Sequence, residues 1–184
     1  MGVNRIVVVA GSIRAESHNK ALAAALTKLG PSDFTFDTVR IDDLPLYNQD
    51  HDGSPSPQVT RLKGAISAAA GVIFVTPEYN RSIPGVLKNA IDHASRPYGQ
   101  SAWTGKPAGI LGISVGQIGT ACAQQHLRTI LAYLDMPTLG QPEAYIQVKE
   151  GFFDGDGNVA VESSRKFLQN WMDRYVDWIK KHAA

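Results

Sequence analysis

Cysteine is nearly absent: Cys122 is the only one in 184 residues. That count excludes an internal disulfide and leaves too few thiolates for a zinc or iron–sulfur centre, as expected of a chain kept in a reducing cytosol. An excess of one charge is missing too, with 18 Lys and Arg against 17 Asp and Glu, a net +1. Neither nucleic acid nor an anionic membrane surface is therefore an expected partner. No apolar run approaches the ~20 residues that span a bilayer, and the strand-like stretch after Arg5 is too short for a secretion signal. The expected address is cytoplasmic. Two nucleotide signatures are also lacking. No G-x-G-x-x-G follows the first apolar run, and Gly105-Lys106 leads into Pro107 rather than into the helix of a P-loop.

What is present reads as one domain over residues 1–184, with 43% hydrophobic and 19% charged residues, ordinary for a globular protein. Short runs rich in branched residues predict strands at 5–10, 71–76, 108–114 and 144–148, with a more alternating one at 34–41 toward an edge. Helical stripes lie between them: Leu22, Ala25, Leu26 and Leu29; Leu62, Ile66 and Ala69; Val86, Leu87, Ala90, Ile91 and Ala94; Leu127, Ile130, Leu131 and Leu134. A last helix carries Phe167, Leu168, Trp171, Met172, Tyr175, Trp178 and Ile179. Five alternations of strand and helix predict an α/β doubly wound sandwich around a five-stranded parallel sheet, with the flavodoxin-like order 2-1-3-4-5.

In such a sheet, ligands bind where strands run out into helices. After the first strand, Gly11 allows a tight turn; Ser12, Ser17 and Asn19 offer short donors; Arg14 adds a cation. The helix starting near His18 presents unpaired N–H groups and the positive end of its dipole. This suits a phosphate monoester better than a pyrophosphate, although Ser17 also reads simply as a helix cap. After the third strand, Pro77-Glu78-Tyr79-Asn80 forms a stiff loop with an apolar wall in Tyr79, an amide in Asn80 and a hydroxyl in Ser82. Such groups match the polar edge of a flavin ring. After the fourth strand, residues 114–119 with Ser114 and Gly116 border the same crevice. An anion site and a flat-ring site on one sheet edge point to a bound mononucleotide.

With these residues in view, the chain resembles the NADPH-dependent FMN reductases, a family that includes flavin-dependent quinone, azo-dye and chromate reductases. The resemblance rests on Gly11-Ser12-Ile13-Arg14 with Ser17 and Asn19, on Pro77-Glu78-Tyr79-Asn80 with Ser82 and Pro84-Gly85, and on Leu87-Lys88-Asn89-Ala90-Ile91-Asp92. It implies FMN as cofactor, NADPH or NADH as co-substrate and small-molecule electron acceptors. Ser12, Arg14, Ser17 and Asn19 would hold the phosphate; Pro77, Glu78, Tyr79, Asn80 and Ser82 would line the isoalloxazine, with Ser114 and Gly116 on its other border. His93 stands where many relatives carry tryptophan. The family implies a homodimer or homotetramer and ping-pong hydride transfer, with the chemistry carried by FMN and no catalytic side chain. A flavodoxin-type electron carrier is the alternative, but such carriers are strongly acidic and this chain is not.

Other features read as ordinary. The run 154–158 resembles a calcium loop but lacks its later glycine and acid, so a polar turn is expected. Asp50-His51-Asp52 reads as a solvated loop, and Cys122 as a small buried residue. Arg81, beside the ring loop, is a candidate contact for nicotinamide-cofactor phosphates. Trp171, Trp178, His126 and Arg128 are candidates for subunit contacts.

Overall fold

A computed structural model describes residues 4–182. Its five strands, β1 (Asn4–Ala10), β2 (Phe34–Thr38), β3 (Gly71–Val75), β4 (Ala108–Ser114) and β5 (Ala144–Gln147), form one sheet in the order β2-β1-β3-β4-β5. Every adjacent pair is parallel. Strands buried on both faces must be apolar throughout; β3 is buried from end to end, and in β1 residues 6–10 are.

Five helices cover the two faces: α1 (His18–Thr27), α2 (Pro57–Ser67), α3 (Gly85–Ser95), α4 (Ala121–Tyr133) and α5 (Glu162–His182). One core packs Leu22 and Leu26 of α1 and Leu168, Trp171, Met172, Tyr175 and Ile179 of α5 against Ile6, Val8, Ile73 and Leu111. The other packs Leu62, Ile66, Leu87, Ile91, Leu127 and Leu131 of α2, α3 and α4 against Val7, Val9, Phe74 and Ile110. Each such fully buried side chain contributes about 1.5–3 kcal/mol.

β2 ends at Thr38, short of the expected residue 41. Val39 N–H still bonds Val8 C=O, but Ile41 turns into the α2–α3 core, so its apolarity reflects packing rather than strand. Trp171 is 1% exposed, which removes it as a subunit contact. Trp178 is partly buried and donates through Nε1 to Pro137 C=O. Trp103, singled out by no periodicity, is fully buried against Phe74 and donates to Ile91 C=O. Among the described residues, no helix is long and apolar enough to cross a membrane.

Candidate functional site

The sheet register brings the three loops together. Ala10, Val75 and Leu111 lie in one row across β1, β3 and β4. The first loop leaves the sheet at Gly11, whose N–H bonds Val75 C=O at 2.8 Å, and the second leaves at Thr76, bonded to Leu111 C=O at 3.0 Å. β4 continues through Ser114, three residues beyond Leu111 and about 10 Å further. The third loop therefore stands above the other two as a wall. Exposed apolar side chains from all three gather at this edge: Ile13, Tyr79, Val115 and Ile118.

In the first loop, Ser17 caps α1: its Oγ accepts from Lys20 N–H at 3.3 Å. Ser12 Oγ accepts from Arg14 N–H at 3.4 Å. Both serines are buried, and each keeps its hydroxyl proton to donate. The backbone N–H groups of Ile13, Ala15, Glu16, His18 and Asn19 meet no acceptor among the described residues. No acidic residue lies in the first turn of α1. The side chains of Arg14 and His18 are exposed. This donor set, free N–H groups at a helix start with two hydroxyls and a nearby guanidinium, fits a dianionic phosphate.

Two expectations need correction. The Asn19 side chain is committed to the sheet. β3 leaves the sheet at Thr76-Pro77, and Asn19 takes up the Ile113 groups on that side of β4: Nδ2 donates to Ile113 C=O at 2.9 Å and Oδ1 accepts from Ile113 N–H at 3.1 Å. Its backbone N–H has no acceptor among the described residues. Gly11 needs no ligand to account for it, since an added Cβ would stand 3.1 Å from Leu87 Cδ2 and 3.4 Å from Pro77 Cδ, so packing already crowds a side chain there.

In the second loop, residues 79–82 close a two-residue turn. Tyr79 N–H bonds Ser82 C=O and Ser82 N–H bonds Tyr79 C=O, both at 3.0 Å, with Asn80 at φ 52 and Arg81 at φ 65. Both central residues with positive φ mark a type I′ turn, in which Asn is favoured and Arg is not. Pro77 is buried and Tyr79 and Asn80 are exposed. Glu78 is the third correction: its carboxylate is turned onto α4, accepting from Ala123 N–H at 3.1 Å, so it can line a ring only through its backbone. Arg81 pairs with Glu78 at 3.3 Å.

In the third loop, Ser114 Oγ donates to Gly116 C=O at 3.1 Å. Space beside Gly116 is open, with Ser114 Oγ the nearest atom to an added Cβ at 3.7 Å. Gly119 and Thr120, both at positive φ, fold the loop back onto β5. Behind them Gln124, fully buried, donates to Thr120 Oγ1 at 3.0 Å and Ala144 C=O at 2.8 Å. Periodicity carried that signal: a glutamine three residues before Leu127 occupies an apolar phase of α4.

The remaining candidates lie elsewhere or do less. His93 is buried in the last turn of α3, its Nε2 donating to Pro45 C=O at 2.9 Å and its ring edge-on to Tyr47. It braces the loop before α2. Arg128 is half-buried and donates to Leu139 C=O, which ties it to its own chain. Cys122 is half-buried near the start of α4. The 154–158 run is a turn in which Asp154 accepts from the N–H and Nδ2 of Asn158 and from Asp156 N–H, and those bonds hold its carboxyl below the usual carboxylate range. Among the described residues, no group of His, Cys, Asp and Glu could hold a metal ion. Beside the first loop, a cleft of about 390 Å³ runs between α1 and the end of β2, bordered by Ser12, Ile13, Lys20 and Arg40.

A helix start ready for an anion, with two further loops raised around it at the carboxyl end of a parallel 2-1-3-4-5 sheet, defines a mononucleotide-binding domain of the flavodoxin type. The model of the NADPH-dependent FMN reductase family matches residues 4–151. A 2-hydroxy-1,4-benzoquinone reductase of a Burkholderia species is 56% identical, covering 96% of each chain. An NAD(P)H-dependent FMN reductase of Pseudomonas aeruginosa is 40% identical, again over 96% of each. The structure of FerB, a flavoenzyme NAD(P)H:(acceptor) oxidoreductase from Paracoccus denitrificans, superposes with a TM-score of 0.94 at 45% identity, covering 98% of this chain and 99% of that one. The chain belongs to the NADPH-dependent FMN reductase family and is an oxidoreductase using FMN and a nicotinamide co-substrate.

Proposed function

We propose that residues 1–184 form a single FMN domain that passes reducing equivalents from NADPH or NADH to quinones, with azo compounds, chromate and free flavin as further candidate acceptors. The observation that carries this reading is that three loops leave one edge of the sheet side by side, with anionic-ligand donors in the first and exposed apolar side chains on all three. Ser12, Arg14, Ser17 and the backbone N–H groups of His18 and Asn19 would hold the phosphate. The buried Pro77, the backbone of Glu78, the side chains of Tyr79, Asn80 and Ser82, and the 114–116 segment would border the ring. Bound FMN supplies the hydride-transfer chemistry.

What this chain contributes is binding and polarity. N–H groups at residues 78, 80 and 115–117, which meet no acceptor among the described residues, can stabilise negative charge at the ring edge without reorganising. Tyr79, Val115 and Ile118 give the crevice an apolar lip for flat acceptors. Reductant and acceptor would use this one opening in turn, the oxidised nicotinamide leaving before the acceptor enters, which is ping-pong order. Homodimers or homotetramers are proposed from the family resemblance, as is the role of Arg81 toward nicotinamide-cofactor phosphates.

Steady-state NADPH oxidation by the purified protein, with a quinone as acceptor, tests the proposal. Turnover without any partner protein and parallel double-reciprocal lines are expected. Negligible turnover by flavin-loaded protein would favour a flavodoxin-type carrier, and intersecting lines would overturn the shared opening.

A further inference from the structure

The start of α4 has no local cap. Thr120 at the N-cap position lies in the left-handed region at φ 73 and makes no side-chain cap bond, and no acidic residue follows in the first turn. The missing acceptor comes from 45 residues away, where Glu78 Oε2 accepts from Ala123 N–H at 3.1 Å. The Glu78 side chain is 10% exposed, and its other oxygen meets Arg81. At the far end of the same turn, Ser82 Oγ lies 3.0 Å from Nδ1 of His126, about one helical turn further along α4. The residue just before the 79–82 turn and the last residue of that turn are thus both tied to one helix, the helix that directly follows the third loop.

From these ties we propose that Glu78 is a positioning residue: it clasps the β3–α3 loop to the start of α4 and so sets the separation between the second and third walls of the crevice. The inference rests on reading those walls as the flavin site. A carboxylate at a helix start is favoured by the free N–H groups there and by the dipole. With most of its surface withdrawn from water, that attraction is weakly screened. Its loss frees both partners at once. The turn holds two non-glycine residues at positive φ, a conformation that lasts only while its surroundings enforce it. The helix loses the acceptor for Ala123 N–H.

Amide hydrogen exchange on the apoprotein, with FMN titration by flavin fluorescence, tests this. In the wild-type protein the Ala123 amide is expected to exchange more slowly than that of Cys122, which has no acceptor among the described residues. Glu78→Ala should speed exchange at Tyr79, Ser82 and Ala123 together, leave α5 amides unchanged, and weaken FMN binding about tenfold. Glu78→Gln keeps a carbonyl for Ala123 and should stay within about threefold of wild type, whereas Glu78→Met, which keeps the volume but offers no oxygen acceptor, should behave like Glu78→Ala, a contrast that a simple loss of packing would not predict. Equal exchange at Ala123 and Cys122 in the wild type, or unchanged FMN affinity in Glu78→Ala, would overturn the clasp. Wild-type protein that binds no FMN would instead overturn the flavin reading, and the exchange measurement would then decide the clasp alone.

Discussion

Asn19 and Ser17 sit two residues apart and do different work. Ser17 caps a helix with its oxygen while keeping a proton to donate, so removing it costs about 1 kcal/mol and, on the proposed reading, a phosphate contact. Asn19 replaces a missing stretch of β3, and both ends of its amide are spent on Ile113. Two outcomes separate these roles. Arg14→Ala with Ser17→Ala should weaken FMN affinity at least tenfold, read by titration, with a folded apoprotein. Asn19→Ala leaves a buried N–H and C=O unpaired and should lower stability by about 2–4 kcal/mol in urea unfolding. Asn19→Asp should do no better, because a carboxylate cannot donate to Ile113 C=O. Sequence reading grouped the two as donors because both are short polar residues after a strand. Only the register of β4, extending past β3, distinguishes them.

At the scale of elements, the strands were legible because double burial forces unbroken apolar runs, and the order followed from their alternation with helices. The two loops stood out because both follow buried strands at one sheet edge, although glycine, proline and serine there also serve ordinary turns and caps. Contacts across the sheet edge were not legible. Nothing local to Glu78 marks it as the cap of a helix 45 residues later, and nothing local to Gly112 reveals that an added Cβ would lie 2.2 Å from Thr76 O. The third loop makes the point testable with two glycines. At Gly119, φ is +58 and a Cβ would stand 2.5 Å from the Tyr145 carbonyl carbon, so Gly119→Ala should cost about 2–4 kcal/mol by thermal or urea unfolding. Gly116 faces open space, so Gly116→Ala should change apoprotein stability by less than about 0.5 kcal/mol yet weaken FMN binding, because the added methyl enters the proposed ring site.

For the molecule as a whole, the site edge is carried by a sheet whose far face is closed by α5, and the two are joined at one buried phenol. Tyr175 is fully buried, stacks on Trp171, lies against Gly71 and donates to Pro107 C=O at 3.2 Å. Burial away from water pushes its ionisation well above the ordinary value of 10.0. In the unfolded chain the same phenol ionises near pH 10. Below that pH both states are protonated and the contribution to stability is fully present. Above it, the unfolded chain releases a proton that the folded chain retains, so stability falls as pH rises, by up to about 1.4 kcal/mol per pH unit for this one group. Unfolding free energies measured from pH 9 to pH 11.5 should show that decline. Tyr175→Phe, less stable at neutral pH through the lost hydrogen bond, should show a shallower one over the same range, the remaining slope belonging to the other titrating groups. An equal slope in both proteins would mean that the α5 face opens before the phenol is made to ionise.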